Sequence, residues 1–218
     1  MLQKIELTYR ANKSNYTDDF RLRIHRAISW LKKAENTEDP DIKFSTLWIA
    51  FNAAYAREIV NESAIEKETF IDFITNICCL DNNKQLESII WNELPDPISA
   101  LLENRYTFQP FWFELRKEFP SNRWERKMQE ANNLALNSIR MKNTRGVLVF
   151  TFERLYTLRN QIFHGGSTYN SSANRTQLQD GCDILSKIVP IIIQIMIDNP
   201  STVDWGKPFY PYIMQDNK

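Results

Sequence analysis

Apolar residues recur at three- and four-residue intervals along most of the chain, which is the helical period. From Asp18 to Ala34, the positions Phe20, Ile24, Ala27, Ile28 and Leu31 form one stripe. Thr17 stands where an N-cap belongs, with Asp18 and Asp19 in the first turn. Asn36 to Pro40 reads as a short turn, and a second helix is expected over Asp41–Asn61, burying Phe44, Leu47, Trp48, Phe51, Ala54 and Tyr55. So short a connection predicts an antiparallel pair. Residues 62–142 carry shorter amphipathic pieces around Phe70–Ile77 and Leu86–Ile90. Pro95 and Pro97 are expected to break the chain, Pro110 to open a helix, and Arg123–Met141 to form one. Two long elements follow. Arg145–His164 has Val147, Phe150, Leu155, Leu158 and Ile162 as its stripe and stops at Gly165-Gly166. Thr176–Asp198 is the last helix, with a kink expected at Pro190. The aromatic tail, 199–218, reads as an extended strap around Trp205–Tyr212. Only Lys4–Tyr9 alternates like a strand, so the fold class is all-α.

Composition changes this picture little. With 43% hydrophobic and 25% charged residues, 218 residues make one ordinary globular domain, taken here as 1–218. The three cysteines, Cys78, Cys79 and Cys182, are no disulfide framework and read as buried thiols of a reducing cytoplasm. The N-terminus has no apolar signal region. The apolar run Ile188–Ile197 is too short to span a bilayer, so no membrane association is expected. Two histidines and three cysteines give little from which to build a metal cage, so neither metal nor cofactor is expected. No phosphate-cradling glycine motif occurs either.

Charge matters more. Lys+Arg and Asp+Glu both number 27, yet residues 105–160 hold 11 basic and 5 acidic side chains, and residues 1–104 hold 12 and 17. A basic middle third could attract phosphate, or its helices could pair with the acidic first half. Within it, Phe108, Phe111, Trp112, Phe113, Phe119 and Trp124 lie among Arg116, Lys117 and Arg123. That mixture suits single-stranded nucleic acid, and core packing of a helical arm explains it as simply; core packing is the reading taken.

One stretch combines groups that do chemistry: Arg159-Asn160-Gln161-Ile162-Phe163-His164-Gly165. Arginine offers a planar fork for phosphate, and histidine moves a proton near neutral pH. Those two roles suffice for metal-free RNA cleavage, because the ribose supplies the nucleophile. Attack of the 2′-OH on the adjacent phosphate leaves a 2′,3′-cyclic phosphate and a 5′-OH. On a regular helix Arg159 and His164 point about 140° apart, while Asn160 and His164 differ by only about 40°. One copy therefore does not easily focus both side chains on one phosphate. Either the helix loosens at Gly165, or two copies of this helix end meet across a two-fold axis. The second is the expectation. A purely structural role is the rival: Arg159 in an ion pair of the bundle, His164 capping a helix C-terminus.

Arg159-Asn160-x-x-x-His164-Gly165, at the end of the penultimate long helix, resembles the R-x4-H signature of the HEPN superfamily. The second helix, Phe44 to Tyr55, resembles its counterpart in the Apea-like HEPN branch. The resemblance implies a four-helix-bundle core, here helices within 15–61 and 145–198, with 62–142 as a helical insertion between the second and third core helices. It implies a homodimer across the Arg159–His164 helix end. It also implies, in many members, metal-independent endoribonuclease activity in toxin, phage-defence and RNA-processing systems. Carried over, Arg159 binds the scissile phosphate, His164 transfers a proton or positions the phosphate, and Asn160 orients the pair. Arg154 and Gly165 are weaker candidates for contact with the RNA, Arg154 reading otherwise as a surface salt bridge. A regulatory protein partner is a further expectation, its identity open. Some members only bind RNA, a nucleotide or a protein, and that is the alternative function. The second glycine, Gly166, departs from the branch with a tyrosine two residues after the histidine, which argues against a nucleotidyltransferase antitoxin.

Overall fold

The computed structural model describes residues 1–57 and 64–210, and of residues 64–67 the backbone alone. Among the described residues there are ten α-helices and no β-strand. They are α1 (Leu2–Asn12), α2 (Asp18–Glu35), α3 (Pro40–Tyr55), α4 (Ala64–Leu80), α5 (Gln85–Asn92), α6 (Pro95–Glu103), α7 (Gln109–Leu115), α8 (Arg123–Arg140), α9 (Thr144–Phe163) and α10 (Arg175–Asp198). The all-α expectation holds.

Local chemistry sets the boundaries. The Thr17 hydroxyl accepts from the Phe20 N–H and starts α2. The Asp39 carboxylate accepts from the N–H groups of Asp41 and Ile42, and Pro40 occupies the first turn of α3. Asn143 caps α9 through the Gly146 N–H. Helix α3 ends earlier than expected. Ala56 and Arg57 leave it in extended conformation, and 58–61 lie outside the described residues. The alternation over Lys4–Tyr9 is not a strand, because Leu2, Ile5 and Tyr9 are the buried face of α1. Pro95 and Pro97 do not interrupt the chain; they sit in the first turn of α6, where a missing N–H costs nothing. Helix α10 runs unbroken through Pro190.

Helices α2 and α3 pack along each other antiparallel, since Arg23 near the start of α2 reaches carbonyls at the end of α3. Helix α10 is the buried axle. Ile184, Leu185, Ile188, Val189 and Ile191–Ile193 are almost wholly inaccessible, and α10 contacts α2, α3 and α6. Gly181 permits its approach to α3, for a Cβ there would lie 2.8 Å from Phe44 Cε2. The segment expected as an insertion divides in two. Ile74, Ile77, Leu86, Ile90, Ile98 and Leu101 of α4–α6 belong to the main core. Helices α7 and α8 form an arm with its own small core of Phe108, Phe111 and Met128, flanked by Trp112 and Trp124. Phe113 and Phe119 remain exposed, so core packing accounts for four of the six aromatics there. The tail is a strap as expected, as far as it is described. Trp205 is buried and donates to the Asn199 carbonyl, and Pro208 bridges to Arg57. The thiols follow burial: Cys182 is buried and Cys78 half-buried, both pushed up to about 12 by desolvation. Cys79 is exposed, contrary to expectation, because it falls on the outer face of α4.

The turn between α7 and α8 hangs on one carboxylate. Glu114 accepts from the Ser121 hydroxyl and N–H and from Lys117. The Lys117 and Ser121 bonds hold its pKa down to about 2. A depressed carboxylate stabilises the fold above its ordinary pKa, and that stability is lost as pH falls toward the folded value. Between pH 4.5 and 2 the arm should therefore loosen. Tryptophan emission followed through an acid titration should lose one component of its change in Glu114→Gln.

Candidate functional site

Arg159 stands in the last two turns of α9, between the rings of Tyr156 and Phe163. Its guanidinium carbon lies 6.0 Å and 4.7 Å from the two centroids. One terminal nitrogen donates to Asn160 Oδ1 at 2.9 Å. No carboxylate among the described residues pairs with it. Its Nε is sealed from water and lacks a hydrogen-bond partner. An orphan buried donor costs about 1–3 kcal/mol, so native structures hold few of them. The bonded nitrogen is Nη1, and Nη2 makes no bond to a described residue. The ion-pair rival for Arg159 is absent among the described residues.

His164 is the C-cap of α9 and is exposed. The helix stays regular up to it, the His164 N–H donating to the Asn160 carbonyl at 3.1 Å. It does not loosen at Gly165; it closes there. Gly165 takes φ +68°, its N–H bonds to the Ile162 carbonyl, and the Gly166 N–H bonds to that of Gln161. This is a Schellman turn. A Cβ on Gly165 meets nothing within 4 Å, so only the backbone angle demands glycine. Gly165→Ala should cost about 1 kcal/mol and Gly165→Asn less, read by thermal denaturation. Gly165 thus has a structural role, setting where the imidazole and the polar loop begin. That loop is tied back to the start of α3, Tyr169 donating to Asp39 and Arg175 pairing with Asp41 at 2.8 Å.

Arg154 is not a surface residue. It is buried, donates to the Leu102 carbonyl and to Asn132 Oδ1, and stacks 4.4 Å from the Phe108 centroid. Desolvation lowers its pKa to about 10, and it remains charged at neutral pH. Both bonds leave from Nη2 and clamp α6, α8 and α9 together; the side chain also borders the cavity described next.

The structure thus joins Arg159 to Asn160 and leaves His164 apart from them, at the rim of the helix end. What sequence reasoning missed is a cavity of about 550 Å³ between α3, α4, α7, α8 and α9, with Arg159 on its wall and His164 outside it. Aromatic rings dominate the lining: Trp48, Phe51, Tyr55, Phe70, Phe108 and Tyr156. Asn52 adds an amide whose side chain bonds to no described residue. The spacing of Trp48, Phe51, Asn52 and Tyr55 on α3 and of Tyr156, Arg159 and Phe163 on α9 was a signal, one polar group set in each aromatic stripe. The Gln161 side chain and the Trp112 indole both donate to the Tyr106 carbonyl, bracing the motif helix against the arm.

Around this site the basic third is solvated. Arg116, Arg123, Arg126, Lys127, Arg140 and Arg145 are exposed. No ion pair among the described residues links residues 105–160 with the acidic first half. Among the described residues no cluster of His, Cys, Asp or Glu could hold a metal ion, and no helix is long and apolar enough to cross a membrane.

The fold and site define a helical protein with an arginine on an aromatic cavity, without an ion pair among the described residues, and a histidine at the end of the same helix. No protein-family model, no curated protein and no solved structure matches the chain.

Proposed function

We propose that the protein is a metal-independent endoribonuclease of HEPN type, acting as a homodimer whose two α9 ends share one cleft. The observation that carries this is the pairing of Arg159 and Asn160, without a carboxylate counter-charge among the described residues, five residues before an exposed imidazole. Arg159 binds the scissile phosphate through Nη2, the terminal nitrogen that Asn160 leaves unbonded. Asn160 holds the guanidinium in place. His164 takes the 2′-hydroxyl proton, or delivers one to the departing 5′-oxygen as the P–O5′ bond breaks. The regular helix keeps Arg159 and His164 on different sides of one chain, which favours a site completed by a second copy. The exposed basic face of α8 gives a strand its approach. The test is RNA cleavage in excess EDTA, with 2′,3′-cyclic phosphate and 5′-OH ends on the products and a dimer in sedimentation. No cleavage, or 5′-phosphate ends, rejects the reading.

A second reading is favoured by one observation: the cavity includes Arg159 and excludes His164. A module that binds RNA or a nucleotide without cutting needs only the former.

A further inference from the structure

We infer that the aromatic cavity is a binding site for a small aromatic monocarboxylate, its carboxylate held by Arg154 and its ring set among the walls. Neither His164 nor a phosphate on Arg159 is involved, so the site stands apart from the nuclease. Arg154 is only 5% exposed, and no carboxylate among the described residues forms an ion pair with it. Both of its hydrogen bonds leave from Nη2, to the Leu102 carbonyl and to Asn132 Oδ1. Nε and Nη1 make none, and neither is sealed from water as the Nε of Arg159 is. A buried cation without a counter-ion is costly. Arg154 borders the cavity, so an anion entering there reaches its unbonded donors.

The charge of the lining sets the valence of that anion. Among the described residues Arg154 and Arg159 bring two positive charges and Glu153 brings one negative. A single carboxylate balances the sum. A phosphate monoester carries about 1.5–2 negative charges at neutral pH and would overshoot it beside Glu153. A cationic ligand would meet two arginines. The walls set the rest. Trp48, Phe51, Phe108, Phe152 and Tyr156 line a volume of about 550 Å³, within the range of small-molecule sites, which are mostly apolar with a few convergent polar groups. Ring walls favour an aromatic body, which gains stacked and edge-on contacts that an aliphatic acid forgoes. The Asn52 amide, bonded to no described residue, can meet a hydroxyl or N–H on that ring.

Calorimetric titration of the full chain with phenylacetate and indole-3-acetate tests the site. At least one of the two acids is expected to bind. Its neutral amide, phenylacetamide or indole-3-acetamide, should bind at least tenfold more weakly, because only the acid makes an ionic hydrogen bond to Arg154. Acetate, which lacks the ring, should bind at least tenfold more weakly too. These comparisons use the parent protein and need no variant. Arg154→Met should then erase the preference for acid over amide. The substitution also removes two bonds of the fold, so an unchanged helical circular dichroism spectrum and a cooperative melt identify a folded variant. Where it does not fold, Val149→Trp, at a half-buried position on the cavity wall, should fill the space and abolish binding of both acids. No binding of either acid overturns the proposal, as does equal binding of acid and amide or of acid and acetate. Acid binding untouched by a folded Arg154→Met or Val149→Trp overturns it as well. AMP binding more tightly than both acids does the same and gives the cavity to a nucleotide.

Discussion

Arg159→Ala and His164→Ala should each lower RNA cleavage in EDTA by a factor of about 10²–10³ while leaving the melting temperature nearly unchanged. Both halves of that expectation follow from the surroundings. Arg159 forms no ion pair among the described residues and makes a single side-chain hydrogen bond, to the adjacent Asn160. His164 is exposed and contributes its backbone, not its ring, to the helix end. Neither truncation orphans a buried partner, so stability has little to lose. Arg159→Lys should recover only part of the rate, since an ammonium cannot grip two phosphate oxygens in a plane. Asn160→Ala should act mainly on kcat, because it frees the guanidinium without removing it. A kcat that tracks the stability change instead would mark Asn160 as ordinary packing. Cleavage that persists in both alanine variants points to a contaminating nuclease and removes the proposal. A large stability loss in Arg159→Ala would make it a structural arginine like Arg154.

That contrast shows where sequence reasoning ran out. Arg154 and Arg159 lie on the same helix, five residues apart, with equally polar chemistry. Position on the helix circumference decides their fates. Arg154 turns inward onto Leu102 and Phe108, and Arg159 comes to rest between two rings, both bordering the same cavity. The helices carrying a long apolar stripe, α2, α9 and α10, were legible because the 3.6-residue period is local. The N-cap at Thr17 and the glycine stop at Gly165 were legible for the same reason. Helix α1 was not, because its three buried residues are too few to separate a period of 3.6 from one of two. The fate of α4–α6 was not either. A stripe such as Ile74, Ile77 and Leu86 states that a face is buried and not against which partner. The cavity is the extreme case. It is a volume left between five helices, set by their mutual distances, and no run of residues encodes it directly.

The largest stability effect should come from Arg23→Met. Arg23 is fully buried and spends its guanidinium on three main-chain carbonyls: Ala54 at 2.8 Å, Ala56 at 2.7 Å and Gly206 at 3.2 Å. Burial lowers its pKa to about 10, with Asp19 and Asp204 as partial counter-charge, so it stays protonated at neutral pH. Those carbonyls are what α3 and the strap leave unsatisfied where the helix ends and the chain turns extended. Methionine keeps most of the stem and none of the donors. Charged hydrogen bonds contribute about 1.5–3 kcal/mol each, but Arg23 also carries a desolvation penalty and an unpaired Nε. The net loss should be about 3 kcal/mol, or a melting temperature lower by about 6–12 °C. Arg23→Lys should lose less, keeping the charge while reaching fewer carbonyls. The damage should also reach the site. Asn52 and Tyr55 lie in the last turn of α3, on the helix whose end Arg23 ties down. Arg23→Met should therefore loosen Trp205, seen as a red shift in its emission, and lower RNA cleavage at temperatures where the protein is still folded. A melting temperature within about 2 °C of the parent would show that water replaces the guanidinium at these carbonyls and that the strap is held by Trp205 alone.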